Sequence, residues 1–306
     1  METTIQIFIN SIVSGLILSL VAIGFTFIFK VTKVFHIAHA AIYSLCGLLF
    51  WYANFINSSW VFGYDSLLIT FYSYFIAVIL SLMAAFFFIA LIEEVIYLPL
   101  SKTQNNQHIS LIASIGIYIV LINMAVIVSD NENRVVNNTL NGSFQFAEII
   151  ITKIQILQII VCVLVIFCFQ FFLNYTKSNL TFQSVADNEQ LSKVFGINVK
   201  KERLKVFTSG SILACIAAIL KTMEIGIEPH AGMNITLTAA VVAILVTRLN
   251  LLLIIVFAIV LTLIQNSIEW FLDAQWKDGI TFLILLLVIL FRTEGIISYN
   301  LRKDRT

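Results

Sequence analysis

Long apolar runs, separated by short polar stretches, divide this chain from one end to the other. Runs at about 5–29, 34–56, 67–92, 108–129, 151–173, 204–226, 249–269 and 278–291 are each read as a membrane span, since crossing a bilayer takes roughly 20 apolar residues as an α-helix. The run at 235–247 is too short to cross by itself, covering only about 20 Å at 1.5 Å per residue. It is expected to be a broken helix shielded by protein or a re-entrant piece. The pattern therefore predicts an all-α, polytopic transmembrane helical bundle of about eight full spans and one short or broken membrane segment.

The longest strongly polar stretch, 174–205, lies between two of these runs and holds Lys177, Lys193, Lys200, Lys201, Arg203 and Lys205. Basic loops beside spans stay in the cytoplasm, so this loop is expected inside and sets the topology of the rest. Within it, Val185–Gly196 reads as one short amphipathic helix, with Val185, Leu191, Val194 and Phe195 among Asp187, Asn188, Glu189, Gln190 and Lys193. Gly196 suits the helix C-terminus because glycine enters the left-handed region at little cost. The helix either docks on a partner outside the bilayer or is a solvated loop that binds nothing; its apolar positions favour docking.

Composition agrees with the pattern. The chain is 60% hydrophobic and 11% charged, with mean hydropathy +0.98, against about 25% charged in soluble proteins. The apolar runs are also too long for the alternating strands of roughly 10 residues in a transmembrane β-barrel. Of the 18 Lys and Arg, 14 fall on expected inside segments and four (Arg134, Lys153, Lys221, Lys277) on expected outside or outer-leaflet positions. That asymmetry places the N-terminus outside and the C-terminus in the cytoplasm. Lys30 and Lys33 follow the first run, which is too long for a signal-peptide core and is expected to remain as a span. The whole chain, 1–306, is read as one transmembrane domain, with 174–205 as a cytoplasmic loop within it.

Little in the sequence points to bond-making chemistry. No phosphate loop, HExxH, GxSxG or Cys/His cluster is present, so the chain is not read as an ATPase or other enzyme, and no metal or cofactor is expected. Net charge of +1 gives no reason to expect nucleic acid. Cys46, Cys162, Cys168 and Cys215 lie in apolar runs and are read as small buried side chains without an obvious pairing. Two polar groups stand out. His36 and His39, three apart, are taken to share a helical face and either line a polar path or sit as interfacial histidines. Lys221, Glu224 and Glu228, at i, i+3 and i+7, are taken to share a face of the 204–226 span. Ionisable groups in a membrane are costly and tend to face a cavity or each other. This face would suit the charged ends of an amino acid, or would form an outer-leaflet ion pair or a contact with an extracytoplasmic partner. An ion-coupled secondary transporter or channel is the competing reading.

Three stretches, in order, resemble the permease subunits of bacterial ABC importers for branched-chain amino acids (the LivH/LivM type). The first runs from Ser14-Gly15-Leu16 through Ala22-Ile23-Gly24-Phe25-Thr26 to Phe35-His36-Ile37-Ala38-His39-Ala40. The second is Ser184-Val185-Ala186-Asp187-Asn188-Glu189 through Phe195-Gly196-Ile197-Asn198. The third is Gly232-Met233-Asn234 through Leu237-Thr238-Ala239-Ala240-Val241, followed by Lys277-Asp278-Gly279 and Leu290 to Ile296. The chain departs from the family pattern where His36 and Ala40 replace Asn and Gly, and where 243–250 replaces a Gly-rich turn. With 12 glycines in all, Ala and Ser are expected to supply the close helix approaches.

The resemblance implies an inner-membrane permease subunit moving a small solute, branched-chain or other amino acids. It implies ATP hydrolysis on separate ABC ATPase subunits, a second permease subunit (the same chain or a relative), an extracytoplasmic solute-binding protein, and surrounding lipid. It assigns ATPase coupling to Ala186, Asp187, Asn188, Glu189, Gly196, Ile197 and Asn198. His36, His39, Lys221, Glu224, Thr236 and Thr238 are the residues expected along the path.

Overall fold

The computed structural model describes residues 2–60, 67–101, 106–136, 142–146, 149–175, 178–246, 249–272 and 275–291. Of the 14 Lys and Arg counted above on inside segments, Lys102, Lys177, Arg248, Arg292, Arg302, Lys303 and Arg305 lie outside the described residues, as does most of the stretch after Leu290.

The apolar runs are helices. In order they are α1 (Glu2–Thr32), α2 (His39–Trp60), α3 (Leu67–Ile92), α4 (Leu98–Leu100), α5 (Asn106–Ser129), α6 (Lys153–Tyr175), α7 (Ser178–Asp187), α8 (Glu189–Val194), α9 (Val199–Ile225), α10 (Ala231–Leu245), α11 (Leu251–Phe271) and α12 (Trp276–Phe291). A π-helical turn, Glu93–Tyr97, joins α3 to α4. Among the described residues seven helices are long and apolar enough to cross a membrane. α10 and α12 are shorter, at 15 and 16 residues. The expected 278–291 span is thus about 24 Å of helix at 1.5 Å per residue, and the count is seven long spans and two short apolar helices. A small antiparallel hairpin, β1 (Ser143–Phe146) on β2 (Ile149–Thr152), occupies the 130–150 loop, with Phe144 opposite Ile151. A single bridge ties Arg134 to Ile227 beyond α9.

The bundle is built around α1 and α9. In its most apolar part α1 is 83% buried, whereas α5 is 17% buried. Chains in a membrane gain little from hiding one apolar side chain behind another; close backbone packing is what holds helices together. Gly24 of α1 meets Gly210 of α9: a Cβ on Gly24 would collide with the Gly210 carbonyl, and one on Gly210 would lie 2.7 Å from the Gly24 carbonyl oxygen. Gly15 likewise lies against Ile259 of α11, and Gly232 of α10 against the carbonyl of Ala40 in α2. The few glycines, rather than Ala and Ser alone, make the tight crossings.

α10 is the 235–247 segment, begun earlier than expected and shielded by protein. Its N-terminus is pinned where the Gly232 N–H donates to Ser44 Oγ at 2.9 Å, and Thr236, Ala239, Ala240, Val241 and Val242 are buried. Cys46 of α2 and Cys215 of α9, not expected to pair, are joined in a disulfide with Cα atoms 5.4 Å apart. Cys162 is free and buried, and Cys168 free and exposed.

Candidate functional site

The polar stretch between α6 and α9 folds as two helices instead of one. The break is at Asn188, which has extended backbone angles and caps α8 by accepting a hydrogen bond from the Leu191 N–H. Side chains of this type compete with the helix backbone and favour such caps. α7 is anchored to the bundle: Phe182 packs edge-on against Phe27 of α1 at 5.2 Å, and Val185 is buried beside it. α8 is not buried in this way. Leu191, Val194 and Phe195 are 51%, 81% and 76% exposed, three apolar side chains on one short protrusion. Gly196 takes φ 79°, as its position after a helix predicts. The Ile197 N–H returns to the Ser192 carbonyl. Asn198 caps α9 by accepting from the Lys201 N–H. Ala186 is half-buried at the end of α7, and Asp187 is exposed. Asp187 draws on Lys33, whose ammonium is held below its ordinary value by burial while the Asp187 charge opposes that shift.

Beneath this segment lies a buried ion pair that the sequence alone does not pair. Arg203 Nε is 2.8 Å from Glu93 Oε1, and the two side chains are 3% and 2% exposed. The Glu93-Glu94 doublet at the end of a long apolar run was the available signal. A buried acid needs a nearby cation, and the basic start of α9 supplies one. Glu94, half out of the bundle, pairs with Lys200 at 3.1 Å.

His36 and His39 are fully buried within the fold. They do not share a helix: His36 lies in the turn before α2 and His39 is its first residue. The turn still brings the rings to 5.7 Å. His36 Nδ1 is 2.8 Å from the Tyr97 hydroxyl, and its ring packs edge-on against Phe207. Nε2 of His36 and the hydroxyls of Thr26 and Thr236 are buried without a hydrogen-bond partner among the described residues. Thr238 instead donates to the Asn234 carbonyl of its own helix at 2.8 Å.

At the other end of the bundle, Lys221 Nζ is 2.9 Å from Glu224 Oε2. Gln158 Nε2 also donates to that oxygen at 3.3 Å, and Gln155 Nε2 lies 3.5 Å from Oε1. Glu228 does not join them: α9 ends at Ile225, Gly226 turns the chain at φ 84°, and Glu228 is exposed beyond it. Glu224 borders a cavity of about 320 Å³ lined also by Asn10, Ser14, Gln155, Asn266, Glu269 and Trp270. The amide side chains at 155 and 158, isolated in an apolar run, were the sequence signal for it. No group of three or more His, Cys, Asp or Glu among the described residues could hold a metal ion.

Comparison with known proteins places these features in a family. Residues 7–289 match the family described as branched-chain amino acid transport system, permease component. The chain is similar to the high-affinity branched-chain amino acid transport system permease protein BraD of Pseudomonas aeruginosa, 28% identical over 96% of this chain and 95% of that protein. It is also similar to the permease protein LivH of Salmonella typhimurium, 24% identical over the same shares. The LivH of Escherichia coli is 23% identical, again over 96% and 95%. No solved structure matches the chain.

Proposed function

Since this chain belongs to the family of branched-chain amino acid transport permease components, we propose that it is the membrane-spanning subunit of an ATP-driven ABC importer that carries a branched-chain or similar amino acid across the inner membrane. It is a transporter component and not an enzyme; ATP is hydrolysed on separate ABC ATPase subunits. A second permease subunit completes the path, and a solute-binding protein delivers the solute from outside. The N-terminus is outside and the C-terminus cytoplasmic. The family match over nearly the whole chain carries this reading and does not favour the ion-coupled alternative.

The residue roles follow from position. The 174–205 loop is the cytoplasmic coupling element of a single permease domain. Ala186, Asp187, Asn188, Glu189, Gly196, Ile197 and Asn198 set its shape, which leaves Leu191, Val194 and Phe195 free to enter a groove on the ATPase. Buried polar groups are expensive in a membrane and mark solute pathways. His36, His39, Thr236 and Thr238 then lie along the inner part of the path, and Lys221 and Glu224 at its outer mouth, where a carboxylate and an ammonium suit a zwitterion.

The test is co-purification. A tagged chain, extracted in detergent, is expected to bring an ABC ATPase with it, and scrambling 185–196 is expected to release the ATPase while leaving the permease folded. A chain recovered alone, stable and driving uptake from an ion gradient, would sink the proposal.

A further inference from the structure

The buried Glu93–Arg203 pair has no evident justification in stability. A buried ion pair commonly does no better than well-packed apolar side chains of the same volume, because desolvation offsets the attraction. This one is also incompletely satisfied: Oε2 of Glu93 and Nη2 of Arg203 are buried without a partner among the described residues. Its place in the fold suggests another use.

Arg203 stands between two elements. On one side its Nη1 is 3.9 Å from Oε2 of Glu189 on α8, the exposed protrusion. The other oxygen of Glu189 holds Lys193 at 2.8 Å. On the other side Arg203 grips Glu93, the first residue of the π-helical turn Glu93–Tyr97. π turns are uncommon, mark functional positions and interrupt the regular ladder, so a change of this turn to regular α-helix shifts the register of the residues at its end. Its last residue, Tyr97, is fully buried, stacks on Phe207 with centroids 5.2 Å apart, and bonds His36 Nδ1. Rewinding would rotate Tyr97 away from His36.

We propose that Arg203 is a positioning residue that links displacement of Glu189 on α8 to the π turn 93–97 and, through Tyr97, to the buried His36–His39 pair. Moving α8 toward the bundle shortens the 3.9 Å contact and draws the guanidinium from Glu93. A buried carboxylate that loses its cation either takes up a proton or moves to another partner, and movement of Glu93 changes the shape of the turn it begins. The link requires that the π turn have two arrangements whose balance both ends bias, which is what coupling between distant sites requires. This inference rests on the coupling role proposed above for the 174–205 loop.

The experiment uses the complete importer in proteoliposomes and measures two rates together: ATP hydrolysis and uptake of labelled leucine, isoleucine and valine. Glu93→Met with Arg203→Met removes both charges and keeps the site packed, so the double variant is expected to fold and to retain its ATPase. The ATP hydrolysed per amino acid imported is expected to rise about tenfold. A merely structural pair would leave that ratio unchanged once folded amounts are equal, and a ratio like that of the wild type would overturn the inference. Should the double variant fail to fold, Glu189→Gln is read together with ATPase affinity, because Glu189 also shapes the docking loop: a raised ratio at unchanged affinity supports the link, and an unchanged ratio, or one that rises only with weakened docking, overturns it. A wild-type importer that shows no ATP-driven uptake overturns the coupling role and this inference together. Coupled wild-type transport with unaffected variants overturns this inference alone.

Discussion

Replacing Leu191, Val194 and Phe195 together with Ser should separate docking from folding. Their exposures, 51%, 81% and 76%, leave about two full apolar side chains available to a partner. At about 1.5–3 kcal/mol for burying one such side chain, full burial corresponds to ~3–6 kcal/mol. Association realises only part of such a term, because ordering and imperfectly paired polar groups oppose it. An expected loss of ~3 kcal/mol is about a 100-fold rise in Kd. The folded permease should be little affected, since the substitutions remove apolar surface that the chain itself leaves open. The assay is titration of the purified ATPase onto the detergent-solubilised chain, alongside thermal unfolding of the chain alone. Affinity within about threefold of the wild type (~0.7 kcal/mol) would refute the assignment of these side chains to the interface. A collapse of the unfolding midpoint would refute their independence from the fold.

Three further outcomes are expected. Gly24→Val should destabilise the α1–α9 crossing by about 3 kcal/mol or more, because the new side chain meets backbone that cannot swing aside; the recovered monodisperse fraction in detergent reports it. Glu224→Gln should cut uptake about tenfold (~1.4 kcal/mol) while leaving ATPase co-purification intact, and unchanged uptake would remove Glu224 from the path. Lys33 is a base whose folded-state value is depressed by burial below 10.5. The unfolded chain therefore binds more protons between the folded value and 10.5, and stability should rise with pH through that window. Lys33→Met should flatten the rise, as read by unfolding midpoints across the alkaline range.

The long spans and the polar segment between α6 and α9 were legible in the sequence for the same physical reason. A bilayer imposes one long apolar run per crossing, and a loop rich in Lys and Arg cannot hide in it. What stayed hidden depends on distance between residues far apart in the chain. Glu93 and Arg203 are 110 positions apart, and each alone looks like an ordinary charge at a membrane boundary. The break at Asn188 was readable in principle, since Asn three residues before Leu191 is a capping signal, but the continuous apolar spacing of Val185 to Phe195 argued for one helix. His36 was assigned to the α2 face because spacing alone cannot tell a helix from the tight turn before it. Glu228 was placed on the α9 face for want of weight on Gly226, whose positive φ ends the helix. Scarcity of glycine suggested that its packing role had passed to Ala and Ser, yet count says nothing about placement, and Gly24 faces Gly210.

The distribution of polarity in the fold bears on mechanism. The continuous helical stretch Tyr72–Leu100, most of it α3, has mean hydropathy 3.0 and is 28% buried in its most apolar part; α9 has 1.7 and is 72% buried. The four most apolar spans thus lie outermost, and of the two interior helices α1 stays apolar, at 83% buried, while α9 carries the polar burden. That interior helix begins at the capped Asn198, holds Arg203 one turn later, stacks Phe207 on Tyr97, crosses α1 at Gly210 and ends near Lys221 and Glu224. One continuous element therefore touches the exposed α8 protrusion, the buried histidines and the far cavity. A rigid helix in contact with all three cannot shift at one end without altering packing at the other, and the tight Gly24–Gly210 crossing is the natural pivot. Substitutions beside that crossing that preserve folding, such as Ile28→Val, which only trims a side chain lying against Gly210, should change transport rate more than ATPase affinity. A variant that altered affinity alone would show that α8 moves independently of the helix it leads into.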